Sequence, residues 1–400
     1  MSRLVESTLQ SSAAVSSGEP DWRVSVLPLL RKEVARNGEP WLPLLLVLGA
    51  VGAVAYADHR VTSVSLIYLY ILPLAVGGIF LRRGISYSLI VSCVSLHDYF
   101  SPRSINPQIR IFHNLSAMSC FAFLVYVIQR YVEQRETLAN TVQRQRDDLL
   151  KDLEMAAQVQ RFFLPVGKPA IPGLEVAGMM QPAKVVGGDY YDYIPIDAHT
   201  IQLVVADVAG KGVPAALLMS ATAAAMQVET NHDRNMLAQV ERLNAGIRAV
   251  SDGERYVTLL VAEIDTDRRL LRYVNCGHNP ALLFQANTGS VTQLNSSCLP
   301  LGLSPQETCE LALAELTPGD VIIFYTDGVT EAENRFGEEF GLARLSEQVR
   351  RASSLSAENL MTNIYDAAAN FCSDDFSDDV TILVVKCDFE TSCGQKPRTT

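Results

Sequence analysis

Apolar and polar positions change rhythm three times along this chain. Up to Pro40 the residues are polar or mixed, with Arg3, Arg23, Arg31, Lys32 and Arg36 scattered among them, and no early apolar core precedes a small-residue cleavage site. From Trp41 to Ala57, Val61 to Leu81, Ile85 to about Leu96 and Ile111 to Ile128, four runs are apolar and almost free of charge. A bilayer-crossing helix needs about 20 such residues, and roughly 17 at the least. The first, second and fourth runs qualify, whereas the third does so only by continuing through His97-Asp98-Tyr99-Phe100 and otherwise reads as a buried helix or re-entrant hairpin. Basic residues precede the first run, join the second to the third at Arg82 and Arg83, and follow the fourth at Arg130 and Arg135. The opposite side holds only Arg60, Arg103 and Arg110, so the expectation is four spans in a lipid bilayer with both ends in the cytoplasm.

Between Tyr131 and about Phe163 the composition switches to Glu, Gln, Arg, Asp and Leu. Leu138, Val142, Leu149, Leu153 and Ala156 recur three or four positions apart, the narrow apolar seam of a helix suited to a two-stranded coil. A single solvated connector helix fits the same pattern. Pro165 closes it. Beyond it the rhythm alternates. Strands are predicted at Glu175–Met179, Tyr191–Ile196, Ile201–Asp207, Val257–Ile264, Leu270–Cys276, Ala281–Gln285, Val321–Tyr325 and Val380–Lys386. Helices are predicted at Val213–Val228, Asn235–Val250, Leu342–Arg350 and Ala357–Phe371, in blocks that imply an α+β layering.

Charge and cysteine content narrow the classes. A formal charge of −11 opposes nucleic-acid binding, which calls for a basic face. The eight cysteines show no CxxC pair and no histidine at ligand spacing, so they read as buried small residues or reduced thiols, not as a disulfide frame or zinc site. His97, Asp98 and His113 fall near the ends of the apolar runs, where ionisable groups either mark a sensing site or sit at headgroup level.

The candidate chemistry lies in four aspartate turns. Val186-Gly187-Gly188-Asp189-Tyr190-Tyr191-Asp192, Ala206-Asp207-Val208-Ala209-Gly210-Lys211-Gly212, Val321 to Tyr325 followed by Thr326-Asp327-Gly328, and Ser377-Asp378-Asp379-Val380 each place an aspartate at a strand end. Any one of them alone is more simply a turn or strand-capping residue. If the fold gathers them, carboxylates about 4 Å apart repel by roughly 4 kcal/mol at an effective dielectric near 20. Such a group needs raised pKa values or bound cations, and hard oxygen donors favour Mg²⁺ or Mn²⁺.

These stretches, together with Gly277-His278-Asn279-Pro280 and in this order, resemble the bacterial metal-dependent serine phosphatases of the PP2C type, in their sporulation and stress-response branch. The likeness runs from about Glu154 to Asp388 and implies a β-sandwich covered by helices. It implies two divalent cations, Mn²⁺ or Mg²⁺, held by Asp189, Asp207, the carbonyl of Val208, Asp327 and Asp378. Asp379 and Gly188 are further candidates for the metal or its surroundings, and Lys184 for the substrate phosphate. Activated water would attack a phosphoserine or phosphothreonine with no phosphoenzyme. Ala209 stands where the eukaryotic branch has a histidine, leaving a bound water or His278 to protonate the leaving group, although Gly-His-Asn-Pro reads more simply as a structural turn.

The expected organisation is a cytoplasmic segment at 1–40, a membrane region at 41–130, a linker helix at 131–165, a phosphatase domain at 166–388 and a disordered tail at 389–400. The expected protein is a multi-pass phosphatase of the bacterial inner membrane, its catalytic domain cytoplasmic and its linker a route to a homodimer. Its substrate, by resemblance, is a phosphorylated regulatory protein such as an anti-sigma-factor antagonist. The alternative is an inactive phosphatase-like receptor or scaffold. Gly187-Gly188-Asp189 lacks the Glu-Phe of a diguanylate cyclase, and no Asp-x-Gly-x-Gly loop of a histidine kinase occurs.

Overall fold

A computed structural model describes residues 41–61, 66–100, 106–251, 253, 255–305, 308–373 and 375–389. The segment expected at 1–40 and the tail from 390 lie outside the described residues. The chain divides into two compact units, 1–147 and 148–400.

In the first unit the charge-free runs are helices. They are α1 (Trp41–Arg60), a 3₁₀ turn (Ile67–Tyr70) leading into α2 (Ile71–Phe80), α3 (Arg83–Phe100) and α4 (Pro107–Arg161). Val47, Val51 and Ala55 recur every fourth residue on α1, and Ala117, Phe121 and Val125 do the same on α4, so each helix turns one stripe into a shared core. That core also holds Tyr70, Leu74, Leu89 and Cys93.

Helices α1 and α4 are long and apolar enough to cross a membrane by length and composition, while Ile67–Phe80 is shorter. The 10 residues of α2 rise only about 15 Å, half a hydrocarbon core. Helix α3 has the length but carries Ser86, Ser88 and Ser92, whose hydroxyls bond backbone carbonyls, and ends in His97 and Asp98. His97 is buried with its Nδ1 2.6 Å from Asp58 Oδ2, and Asn114 donates to Asp98 at 2.7 Å. The fourth apolar run and the linker form one continuous helix of 55 residues, on which Leu138, Val142 and Leu149 are exposed.

In the second unit, alternation of period two builds two sheets. The strands are β1 (Leu174–Gln181), β2 (Tyr190–Pro195), β3 (Thr200–Val208), β4 (Val257–Asp265), β5 (Leu270–Cys276), β6 (Ala281–Gln285), β7 (Ser290–Leu294), β8 (Ala312–Glu315), β9 (Val321–Tyr325) and β10 (Val380–Cys387). They pair antiparallel throughout, in the orders β1-β10-β9-β6-β7 and β2-β3-β4-β5-β8. The helices are α5 (Val213–His232), α6 (Met236–Val250), the single turn α7 (Asp327–Thr330), α8 (Gly341–Ala352) and α9 (Ala357–Cys372).

Along β3, Leu203 and Val205 face the other sheet in one core, while Val204, Ala206 and Val208 pack with α5 and α6 in another. On β9, Ile322 and Phe324 join the inter-sheet core and Val321, Ile323 and Tyr325 meet α8 and α9. Burial on both faces explains the uninterrupted apolar strands. The result is a helix–sheet–sheet–helix sandwich, an α+β architecture. The edge strands β7 and β8 escape sequence reading because they are short, four or five residues, and turn most of their side chains toward solvent.

The cysteines depart from expectation. Cys298 and Cys309 form a disulfide, their Cα atoms 5.1 Å apart, and Cys276 lies beside it with 3.3 Å between its sulfur and that of Cys298. The segment between β7 and β8 folds back on the end of β5, a closeness that no CxxC spacing announces.

Gly178 on β1 lies under the ring of Tyr191, where an added Cβ would sit 2.4 Å from Cε2. Gly178→Ala is expected to lower the stability of this unit by about 1–3 kcal/mol through overpacking, read as a fall in its thermal unfolding midpoint by near-ultraviolet circular dichroism.

Candidate active site

Strand ends deliver the four aspartate turns to one edge of the sandwich. Tyr190 of β2 pairs with Ala206 of β3, so one step further along the ladder Asp189 stands opposite Asp207. Ile382 of β10 pairs with Tyr325 of β9, which sets the turns carrying Asp327 and Asp378-Asp379 at the same end of the other sheet. Two hydroxyls stitch the sheets together there. Asp189 Oδ2 accepts from Thr326 Oγ1 at 2.7 Å and from Thr381 Oγ1 at 2.6 Å, the first just beyond β9 and the second on β10.

The carboxyls interact. Asp189 is 1% exposed, and burial and then the charge of Asp207 hold its pKa well above the usual carboxylate range. Burial, followed by Asp327, Asp378 and Asp379, pushes Asp207 up to about 7, and its carboxyl hydrogen-bonds that of Asp189. Asp327 is raised by burial and then by Asp378. Asp379 is raised chiefly by burial. Asp192, in the same motif as Asp189, bonds instead to the Tyr190 hydroxyl at 2.9 Å, the Tyr193 amide at 2.7 Å and Gln227.

The adjoining acids Asp378 and Asp379 do different work. Asp379 Oδ1 accepts from the Ala183 amide at 2.8 Å and its Oδ2 from the Gly188 amide at 2.6 Å, tying the Gly-Gly-Asp loop to the opposite sheet. Asp378 is partly exposed and pairs with Lys211 Nζ at 2.7 Å, and Lys211 also donates to the Ser377 carbonyl at 2.9 Å. The glycines permit this closeness. A Cβ on Gly187 would meet Asp379 Oδ2 at 2.7 Å, one on Gly188 the Val208 carbonyl at 3.2 Å, and one on Gly328 the Asp379 carbonyl at 2.0 Å.

Lys184 and Lys211 line a shallow depression with Asp378 and Asp379. His278 is removed from such chemistry. Its Nε2 meets the Tyr325 carbonyl at 3.1 Å and its Nδ1 the Thr258 hydroxyl at 2.8 Å. A carbonyl only accepts, so Nε2 carries the proton, and burial lowers the ring's pKa to about 4. His278 is thus a neutral brace behind the Asp327 turn, not a proton donor.

Sequence reasoning passed over Thr326, Thr381, Thr258 and Gln160. Both threonines that hold Asp189 stand inside quoted motifs, beside Asp327 and after Asp379, and only their hydroxyls hint at the role. Gln160 is buried in the last turn of α4, where its Nε2 donates to the Gly187 carbonyl at 2.6 Å and its Oε1 accepts from the Gly187 amide at 3.2 Å.

Raised carboxyl pKa values are the signature of anionic oxygens packed without a counter-charge. A donor set of carboxylates and one backbone carbonyl suits a hard divalent cation such as Mg²⁺ or Mn²⁺ and not zinc. These residues therefore fit the cations that the motifs imply.

Residues 197–388 match the family model of Stage II sporulation protein E (SpoIIE). Phosphoserine phosphatase RsbU of Bacillus subtilis is 29% identical over 281 residues, which cover 69% of this chain and 80% of RsbU. The RsbU and RsbW domains of Rv1364c from Mycobacterium tuberculosis superpose with a TM-score of 0.50 at 26% identity, over 55% of this chain and 62% of that one. The SiaA-PP2C domain of Pseudomonas aeruginosa gives a TM-score of 0.54 at 21% identity, over 61% of this chain and 98% of that one, a likeness of fold alone. The gathered aspartates, the two-sheet sandwich and these relatives agree: residues 197–388 carry a phosphatase domain of the SpoIIE/PP2C type.

Proposed function

We propose that this protein is a membrane-anchored, metal-dependent phosphatase that removes phosphate from phosphoserine or phosphothreonine on a small regulatory protein, such as an anti-sigma-factor antagonist. One observation carries the reading: aspartates from four separate turns converge on one sandwich edge, where burial and then neighbouring carboxyls raise the pKa values of Asp189, Asp207, Asp327 and Asp379. The name of RsbU, a phosphoserine phosphatase, supports the substrate class. Two apolar helices support the anchor. In this reading the described domain lies in the cytoplasm of a bacterial cell, behind an inner-membrane region at 41–130 and a linker at 131–165.

Asp189, Asp207, Asp327, Asp378 and the Val208 carbonyl would hold Mn²⁺ or Mg²⁺. Bound divalent ions supply an acidified water and polarise the phosphoryl oxygens. The chain's own residues do the positioning. Thr326 and Thr381 fix Asp189 in one rotamer, and Asp379 fixes the amides of Gly188 and Ala183. Lys211 is placed by Asp378, and Lys184, in the same depression, is free to meet a phosphate dianion. The exposed Leu138, Val142 and Leu149 would be covered by a second copy in a coiled homodimer.

Control from the linker would run through Gln160, whose carboxamide satisfies both polar groups of the Gly187 peptide beside the metal loop. Rotation or withdrawal of the last turn of α4 would release that peptide and weaken metal retention.

Asp327→Ala should reduce Mn²⁺-dependent hydrolysis of a phosphoserine peptide by roughly 100-fold or more, with unaltered turnover refuting the assignment. Gln160→Ala should raise the Mn²⁺ concentration for half-maximal rate by about tenfold, as read by metal titration of initial rates. A raised folded pKa gives stability that is present below the unfolded value near 3.8 and lost as pH climbs through about 7, so metal-free protein should melt at lower temperature as pH rises from about 5 to 8. Asp207→Asn should flatten that slope and Mn²⁺ should reverse it, both measured as unfolding midpoints.

A further inference from the structure

Three sulfurs meet two residues before His278, at the end of β5. Cys276 ends β5, Cys298 and Cys309 flank the segment that folds back on it, and all three sulfurs lie within 4.8 Å of one another. Backbone bonds hold this arrangement. The amides of Ser297 and Cys298 donate to the Asn275 carbonyl at 2.9 and 3.2 Å, so Cys298 is registered beside Cys276. The Gly277 amide donates to Ser296 Oγ at 2.9 Å, and a Cβ on Gly277 would meet the Pro300 ring at 2.5 Å.

Cys276 is 0% exposed, whereas Cys298 and Cys309 are partly open to solvent. An oxidant from solvent reaches the latter two first. The buried Cys276 sulfur sits 3.3 Å from that of Cys298, the sulfur it would attack.

We propose that Cys276, Cys298 and Cys309 form a thiol–disulfide exchange site that takes a hydroperoxide as its oxidant. A thiolate of the exposed pair attacks the peroxide, the O–O bond breaks, an alcohol or water leaves, and a sulfenic acid remains. The second thiol displaces water from it, so two electrons pass from the pair to the peroxide and the Cys298–Cys309 bond forms. Cys276 then attacks Cys298 as its thiolate, the bond to Cys309 breaks, and Cys309 leaves as a thiolate that takes up the proton Cys276 has lost. No further oxidant enters at that step.

The second bond would tie the end of β5 to Cys298 and free the Cys309 thiol. Two residues beyond Cys276, His278 braces the Tyr325 carbonyl and hence the Asp327 turn. Redox state is thereby joined to the active-site edge. This last link rests on the phosphatase reading, while the thiol chemistry does not.

Full-length protein in detergent micelles, reduced and then given one equivalent of hydrogen peroxide, is alkylated, digested without reductant and mapped by mass spectrometry. Wild type should lose labelling fully at Cys298 and in part at both Cys309 and Cys276, the two thiols between which the bond to Cys298 is exchanged. Cys309→Ser should instead link Cys276 to Cys298, and Cys276→Ser should confine the bond to Cys298–Cys309, with folding checked by circular dichroism. Cys276 still fully alkylated in oxidised, folded Cys309→Ser would overturn the exchange, as would stoichiometric zinc on three peroxide-resistant sulfurs. Hydrolysis of a phosphoserine peptide should change severalfold on oxidation of wild type and not of Cys298→Ser. An equal response in Cys298→Ser would overturn the link to the active site without touching the mapped bonds.

Discussion

Mutual repulsion of carboxylates at one edge of a β-sandwich is the constraint on which the rest of the second unit depends. At about 4 Å in a medium of effective dielectric near 20, each like-charged pair costs roughly 4 kcal/mol, comparable to the whole stability of a small domain. Such a group persists only on a rigid frame. Two sheets with apolar residues on both faces provide the frame, and helices on each outer face keep the strands from sliding. The acids are then held by directed bonds, two threonine hydroxyls on Asp189 and two loop amides on Asp379.

Those bonds assign separate tasks to neighbouring acids. Asp379 faces inward and organises backbone, and Asp378 faces a lysine and partial solvent. A cation entering the group would replace repulsion with attraction at Asp189, Asp207 and Asp327, whose raised pKa values mark them as the groups that gain most. Asp379 already has two amide donors, so it has less to gain. The same contrast explains His278, which braces the backbone before the Asp327 turn and has both ring nitrogens committed.

Much of this was legible from residues alone. Apolar strands bounded by turn residues declare their own limits, so β3, β5, β6 and β9 match their expected bounds closely, and the Asp-Gly after β9 also declares the turn that exposes its acid. What escaped has a physical cause in each case. Strands β7 and β8 are short edges whose side chains mostly face solvent. The threonines on Asp189 come from the other sheet, 137 and 192 residues away. Cys276, Cys298 and Cys309 meet through a folded-back segment, and separations of 22 and 11 residues resemble no motif. Of the second apolar run, Val61 to Leu81, the described helical part is Ile67–Phe80.

The Gln160 contact bears on how such a site could be graded. Its carboxamide offers one donor and one acceptor to a single peptide, as a neighbouring strand would, but from the end of a helix. Each net hydrogen bond contributes about 0.5–1.5 kcal/mol, so losing both shifts a two-state equilibrium by roughly 1–3 kcal/mol, or 5- to 150-fold. A peptide so held lies next to Gly188, whose amide Asp379 grips and whose missing Cβ admits the Val208 carbonyl. Small rotations of one helical turn therefore act on the loop that presents Asp189, with leverage enough to regulate and too little to unfold the sandwich.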